Sequence, residues 1–172
     1  MPNRRPRIAV FAGTFDPPTK GHLGIIDRAR RLFDRTIVAV GVNPEKSPLF
    51  TAAERVEMLR ELLNDATDVE VESYTGLTMD YVKNKGADVI VKGIRDTDDL
   101  RNELRQANVN MIAGDVETVF LFTDDQTALI SGTLIRQIAE MGGLESNRIE
   151  RLIPASVVGR LRRKLNIAQP ND

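Results

Sequence analysis

Apolar residues in this chain follow two alternating rhythms, and the alternation predicts the elements. "RIAVFA" (7–12), "TIVAVGV" (36–42), "ADVIVKG" (87–93) and "ETVFLFT" (117–123) are short, near-continuous apolar runs, each reading as a strand covered on both faces. "VEVES" (69–73) is a weaker run that reads as the third strand in chain order. Between the runs the spacing changes to three and four. In "HLGIIDRARRLF" (22–33), Leu23, Ile26, Ala29 and Phe33 fall on one helical face. "TAAERVEMLRELLN" (51–64) carries Val56, Leu59, Leu62 and Leu63 on one side, and Thr51 with Glu54 stands in the capping-box relation. Helices are also predicted over "TMDYVKNKG", stopped by Gly86, and over 98–113. Two more follow, "GTLIRQIAEMGG" closed by its glycine pair and "PASVVGRLRRKL" with Pro154 near the first turn.

Strand and helix thus alternate about five times, with no repeat, linker or low-complexity tract. The pattern predicts one α/β domain over 1–172 built on a parallel sheet with helices on both faces. Residues 1–6 and 167–172 are expected to be disordered tails.

Composition narrows the chemistry. A chain of 172 residues suits one core, and 41% hydrophobic with 28% charged residues is an ordinary globular balance. The net charge of -1 gives no reason to expect a nucleic-acid or membrane partner, and "NRRPR" and "RLRRKL" read as solvated basic clusters. There is no cysteine, which excludes disulfides, thiolate metal sites and thiol nucleophiles; a single histidine excludes a multi-histidine metal centre. No apolar run approaches the roughly 20 residues of a membrane span, and no signal peptide precedes the first strand, so a cytoplasmic location is expected.

In open α/β sheets ligands lie beyond the carboxyl ends of the strands. That directs attention to 12–22, 43–50, 74–78, 92–97 and 123–133. After the first strand, "AGTFDPPTKGH" offers the Thr14 hydroxyl and places His22, the only histidine, in the first turn of a helix, where backbone N–H groups and the macrodipole favour an anion. In "NPEKSPLF", Lys46 stands between two prolines that hold the loop extended. Lys92-Gly93-Ile94-Arg95 sets two cations around a glycine at a strand end, a pair suited to phosphate. Ser131-Gly132-Thr133, with Arg136 following, forms a hydroxylic helix N-terminus. Asp99 and Glu103 share a helix face and, taken by themselves, read as solvated beside Arg101 and Arg105. The whole predicts a polyphosphate crevice, with neither a P-loop nor a G-x-G-x-x-G fingerprint.

With G-T-F-D-P-x-T-x-G-H and I-S-G-T-L-I-R both present, the chain resembles the nucleotidylyltransferase superfamily. Within it, the chain looks like the bacterial phosphopantetheine adenylyltransferases, through "GTFDPPTKGH", "NPEKSPLFTAAERVEML", "GLTMDYVKNKGADVIVKGIR", "ISGTLIRQIAEMGG" and "LIPASVV". The resemblance implies a Rossmann-like, doubly wound five-stranded parallel sheet. It implies transfer of AMP from ATP to 4′-phosphopantetheine, giving dephospho-CoA and pyrophosphate, by in-line attack on the α-phosphorus. It further implies a homohexamer and Mg²⁺ held by the ATP phosphates and water, with no metal ligands from the protein. By motif match His22, Lys46 and Arg95 would be catalytic. ATP would be bound by Thr14, Phe15, His22, Gly93, Ile94, Arg95 and Glu103, and by Thr127, Ala128, Leu129, Ile130, Ser131, Gly132 and Thr133. Thr14, Lys46, Thr78 and Lys92 would hold the acceptor.

The chain departs from that pattern at Gly132, where a serine is usual, and at Thr127, where an aromatic is common; the 98–110 helix lacks the usual aromatics. A sister enzyme acting on nicotinamide mononucleotide, or on an alcohol phosphate with CTP, is the alternative; Lys46, "VKGIR" and "LIPASVV" argue against it. A non-catalytic nucleotide-binding module is a further reading, and the intact His22 argues against that.

Overall fold

In a computed structural model that describes residues 4–43, 47–123, 130–144 and 147–167, five strands form one all-parallel sheet. They are β1 (Ile8–Gly13), β2 (Arg35–Gly41), β3 (Val69–Tyr74), β4 (Val89–Ile94) and β5 (Glu117–Phe122), in spatial order β3-β2-β1-β4-β5. Phe11 of β1 lies in register with Val38 of β2 and Val91 of β4. The chain therefore winds outward from β1 through β2 to β3, then returns to the other side of β1 for β4 and β5. Strand order reverses between β1 and β4, and a crevice opens at their carboxyl ends.

Alternate residues of β1 serve opposite layers. Ala9 and Phe11 pack with Ile25, Ile26 and Ala29 of α1 (Lys20–Leu32) and with Val56 and Leu59 of α2 (Ala52–Leu62). Ile8, Val10 and Ala12 face the other way, toward Val82 of α3 (Thr78–Asn84) and Val116, which follows α4 (Thr97–Gly114). Burial on both faces is why the β1 sequence is continuously apolar. β5 departs from the expectation: it is the sheet edge, none of its residues is fully buried, and Phe122 is 65% exposed. An apolar run does not reveal whether a neighbour strand or layer will cover it.

The C-terminal elements are α5 (Gly132–Glu140), a short 3-10 helix (Asn147–Arg151) and α6 (Ala155–Lys164). Ile135, Ala139, Ile149, Ile153, Val157 and Leu161 pack there with Phe50 and Met58 in a second apolar cluster. Arg160 pairs with Glu57 and Glu61, and Lys164 with Glu54, so α6 is also clipped to α2 by ion pairs. A backbone bond from Lys20 N–H to the Leu152 carbonyl (3.1 Å) anchors the start of α1 to this cluster.

The helix ends follow their local signals closely. Thr51 Oγ1 accepts from the Glu54 N–H while Glu54 accepts from the Thr51 N–H, as the capping box predicts. Gly86 adopts φ +61°, and Pro154 caps α6 from just outside its first turn. α1 begins at Lys20, two residues before the apolar spacing suggested, because Thr19 is its N-cap. At the N-terminus, Arg4 pairs with Asp34 and Arg5 with Asp88, so the described part of the segment expected to be disordered is tied to the sheet layer. Residues 1–3 and 168–172 lie outside the described residues.

Candidate functional site

The crevice at the β1/β4 ends has a volume of about 1070 Å³. Its walls come from the β1–α1 turn, the ends of β2, β3 and β4, one face of α4 and the N-terminus of α5. His22, Thr14, Lys92, Gly93, Arg95, Glu103 and Thr78 all line it, as do Phe15 and residues 130–133. The structure thus brings together the expected residues it describes. Ile94, beside them on β4, is the exception: it is buried and does not line the crevice. Lys46, Thr127, Ala128 and Leu129 lie outside the described residues.

His22 occupies position N3 of α1, where its ring substitutes for the glutamate of a capping box. The Thr19 N–H donates to His22 Nδ1 at 3.0 Å, and the His22 N–H donates to Thr19 Oγ1 at 3.3 Å. A backbone donor on Nδ1 leaves Nε2 to carry the proton of the neutral ring. Phe15 packs edge-on to the imidazole with centroids 5.0 Å apart, and Phe11 lies 6.4 Å away. Burial, reinforced by the Arg95 guanidinium, lowers the His22 pKa from 6.5 to about 4. At neutral pH the ring is therefore a neutral N–H donor. Phe15 itself is 1% exposed and holds φ 51°, so it offers a ligand backbone groups and supports His22 with its ring.

Among the described residues, the crevice cations do not stand free. Arg95 donates through Nε and Nη2 to both oxygens of Asp99, at 2.6 and 2.8 Å. Lys92 Nζ lies 3.1 Å from Glu103 Oε2. Read alone, Asp99 and Glu103 looked like a solvated face; α4 instead turns them into the crevice, where they neutralise the cations at the end of β4. Gln106 lines the same wall, three residues after Glu103 and seven after Asp99. That helical spacing was the signal for it. Gly93 is explained by packing: a Cβ there would come within 2.9 Å of Ile25 Cγ1, so the residue lets α1 approach β4.

On the α5 side, Ser131 is the N-cap and its Oγ accepts from the Leu134 N–H at 3.0 Å. Arg136, expected as a phosphate cation, is anchored to Asp16: Nη1 donates to Oδ2 at 3.1 Å and to the Asp16 carbonyl. Gly132 fits because that backbone is so close; a Cβ would lie 2.8 Å from the Asp16 carbonyl oxygen. On the opposite wall, Thr78 Oγ1 is 2.8 Å from Tyr74 Oη, and Tyr74 stacks on Tyr81. Tyr74, Asp16 and Arg55 were not singled out by the sequence. The strand-end position was a signal for Tyr74, whereas nothing local marks a buried arginine on α2.

Residues 10–138 match the family model described as cytidylyltransferase-like. Phosphopantetheine adenylyltransferase of Carboxydothermus hydrogenoformans is 45% identical over 159 residues, covering 92% of this chain and 96% of that one. The protein of the same name from Nitratidesulfovibrio vulgaris (strain DP4) is 42% identical over 171 residues, covering 99% and 90%. Among solved structures, a bifunctional NMN adenylyltransferase/ADP ribose pyrophosphatase from Francisella tularensis, complexed with AMP and Mn ion, superposes with TM-score 0.63 at 18% identity. It covers 95% of this chain and 52% of that one, and attests the shared fold.

Proposed function

Because the chain belongs to the phosphopantetheine adenylyltransferases of the cytidylyltransferase-like family, we propose that its crevice transfers AMP from ATP to 4′-phosphopantetheine, giving dephospho-CoA and pyrophosphate. The observation that carries this reading is the convergence of a neutral His22, the cations Lys92 and Arg95, and the α5 N-terminus in one crevice at the sheet's switch point. The acceptor phosphate attacks the α-phosphorus in line and displaces pyrophosphate. The bond from acceptor oxygen to phosphorus forms as the α–β bridging bond breaks, and no side chain becomes covalently attached.

Such a reaction asks the protein for position and charge stabilisation. His22 supplies Nε2–H to the oxygens of the α-phosphate as negative charge builds there. A neutral donor suits the task, since it strengthens its hydrogen bond as charge develops without needing a proton-transfer partner. Arg95 serves the ATP phosphates, together with the Gly93–Ile94 backbone and Glu103; Thr14, Phe15 and residues 127–133 complete the nucleotide pocket. Lys46 and Lys92 hold the acceptor phosphate, Thr14 lies between the two substrates, and Thr78 lines the pantetheine arm. For Lys92 and Arg95 to act, a phosphate must share or displace the carboxylates of Glu103 and Asp99.

Asp16, Asp99 and Glu103 are each engaged by a cation, and no group of three or more acidic or histidine side chains among the described residues is placed to hold a metal. Mg²⁺ would enter with ATP, held by its phosphates and water as the resemblance implies, and would reduce the charge of the triphosphate. α4 exposes Leu104, Val109 and Ile112, apolar surface suited to subunit contacts in the homohexamer that the resemblance implies. No helix among the described residues is long and apolar enough to cross a membrane, and the soluble substrates of this reaction suit a cytoplasmic enzyme.

The test is pyrophosphate release with ATP or CTP, each paired with 4′-phosphopantetheine or nicotinamide mononucleotide. Turnover is expected with ATP and 4′-phosphopantetheine. Its absence from that pair, with turnover in another, would transfer the assignment to the sister reaction.

A further inference from the structure

Asp16 is the carboxylate of the β1–α1 turn, and it is held from three directions. Its side chain is 2% exposed. Oδ2 accepts the Leu49 N–H at 2.8 Å and Oδ1 accepts the Phe50 N–H at 2.9 Å. From the other side Arg136 Nη1 donates to Oδ2 at 3.1 Å and to the Asp16 carbonyl. Arg136 Nη2 meanwhile donates to Thr133 Oγ1 at 3.2 Å, in the first turn of α5. One carboxylate thus joins the β1–α1 turn, the segment before α2 and the N-terminus of α5, three pieces of chain distant in sequence.

Arg55, 2% exposed, completes the arrangement from behind. It donates to the carbonyls of Thr14 (2.6 Å), Phe50 (3.0 Å) and Thr51 (3.3 Å). The amides of residues 49–50 therefore go to an anion and the carbonyls of 50–51 to a cation, both reaching the same turn. Burying ions is a costly way to close a loop, and a hydrophobic substitute would stabilise the fold as well or better. The gain lies in geometry: ionic and directional contacts fix three segments relative to one another.

We propose that Asp16 is a positioning residue for adenylyl transfer: it sets the Arg136 guanidinium and the N-terminus of α5 against the β1–α1 turn, so that both address the same phosphate chain as His22. The proposal rests on the reaction assigned above. Asp16 touches no substrate in this scheme; it acts through Arg136 and through the Gly132 contact, where α5 already meets the Asp16 carbonyl as closely as a residue without Cβ allows. A carboxylate is required because three donors converge on it. The asparagine side chain has one oxygen and an NH₂ that would confront a donor.

The experiment is a double-mutant cycle of Asp16→Asn and Arg136→Gln on the full chain. It reads kcat, KM for ATP and for 4′-phosphopantetheine, and Tm for each protein. Asp16→Asn is expected to lower kcat on the order of 10²-fold, the cost of a small misplacement at a reacting centre, with a lesser change in KM for ATP. In the Arg136→Gln background the further loss should be under about threefold, because the two residues act as one unit. Losses that multiply would overturn the proposal, as would a lowered Tm with unchanged kcat per folded molecule. If Asp16→Asn does not fold, Arg136→Lys decides: it keeps the charge but loses the planar fork. A kcat near that of Arg136→Gln supports orientation by Asp16, and a wild-type kcat removes it. Wild-type turnover is the control, since its absence would strike the assigned reaction and leave the cycle without a signal.

Discussion

His22 is the only histidine in the chain, so its ring can be titrated without assignment ambiguity. The Hε1 resonance of the free protein should move with a midpoint near 4, well below the 6.5 of an exposed imidazole. That displacement corresponds to about 3 kcal/mol in favour of the neutral ring, and leaves about one ring in a thousand protonated at pH 7. Burial among Phe11, Phe15 and the crevice wall is the larger cause, and the Arg95 guanidinium the smaller. Arg95→Met should therefore raise the midpoint only part of the way toward 6.5. Nitrogen shifts at pH 7 should show Nε2 protonated and Nδ1 bare, since Nδ1 accepts the Thr19 N–H. A midpoint of 6 or higher, or a proton on Nδ1, would refute the neutral-donor argument. Full recovery of 6.5 in Arg95→Met would show that charge and not burial sets the shift. The same displacement couples to folding: the unfolded chain binds this proton more readily, so stability falls as pH drops from 6.5 toward 4.

Other outcomes follow from single contacts. Gly132→Ser, which would add a hydroxyl at the start of α5, should cost about 1–3 kcal/mol, because its Cβ would meet the Asp16 carbonyl oxygen at 2.8 Å; a denaturant midpoint equal to that of the parent would show that the turn yields freely. Glu54, held chiefly by Lys164 and then by the Thr51 N–H, has its pKa lowered from 4.5 to about 2. Its contribution to stability is complete above pH 4.5 and fades as pH falls toward 2. Lys164→Ala should make that acid-side loss of Tm shallower, though not abolish it, since the Thr51 donor remains; an unchanged slope between pH 4.5 and 2 would contradict the pairing.

Local pattern determined a large share of this protein. The apolar runs at β1, β2 and β4, the capping pair Thr51–Glu54, the stop at Gly86 and the start at Pro154 each depend on residues within a few positions, and each element formed where those signals stand. The strand-end rule then located the crevice, because in a parallel sheet every strand delivers its following loop to the same side. Tertiary structure alone decided how the charges there are spent. Lys92 meets Glu103 because α4 lies beside β4, and Arg136 meets Asp16 across 120 positions because α5 folds back onto the β1–α1 turn. Arg55 is buried behind Thr14 although its helix reads as an ordinary amphipathic one. Sequence also named His22 without its state: the residue type says donor or acid, whereas burial and a single backbone N–H make it a neutral Nε2–H donor. Periodicity is a property of neighbours in the chain, while dielectric and ion pairing are properties of neighbours in space, and those exist only once the sheet has brought its loops together.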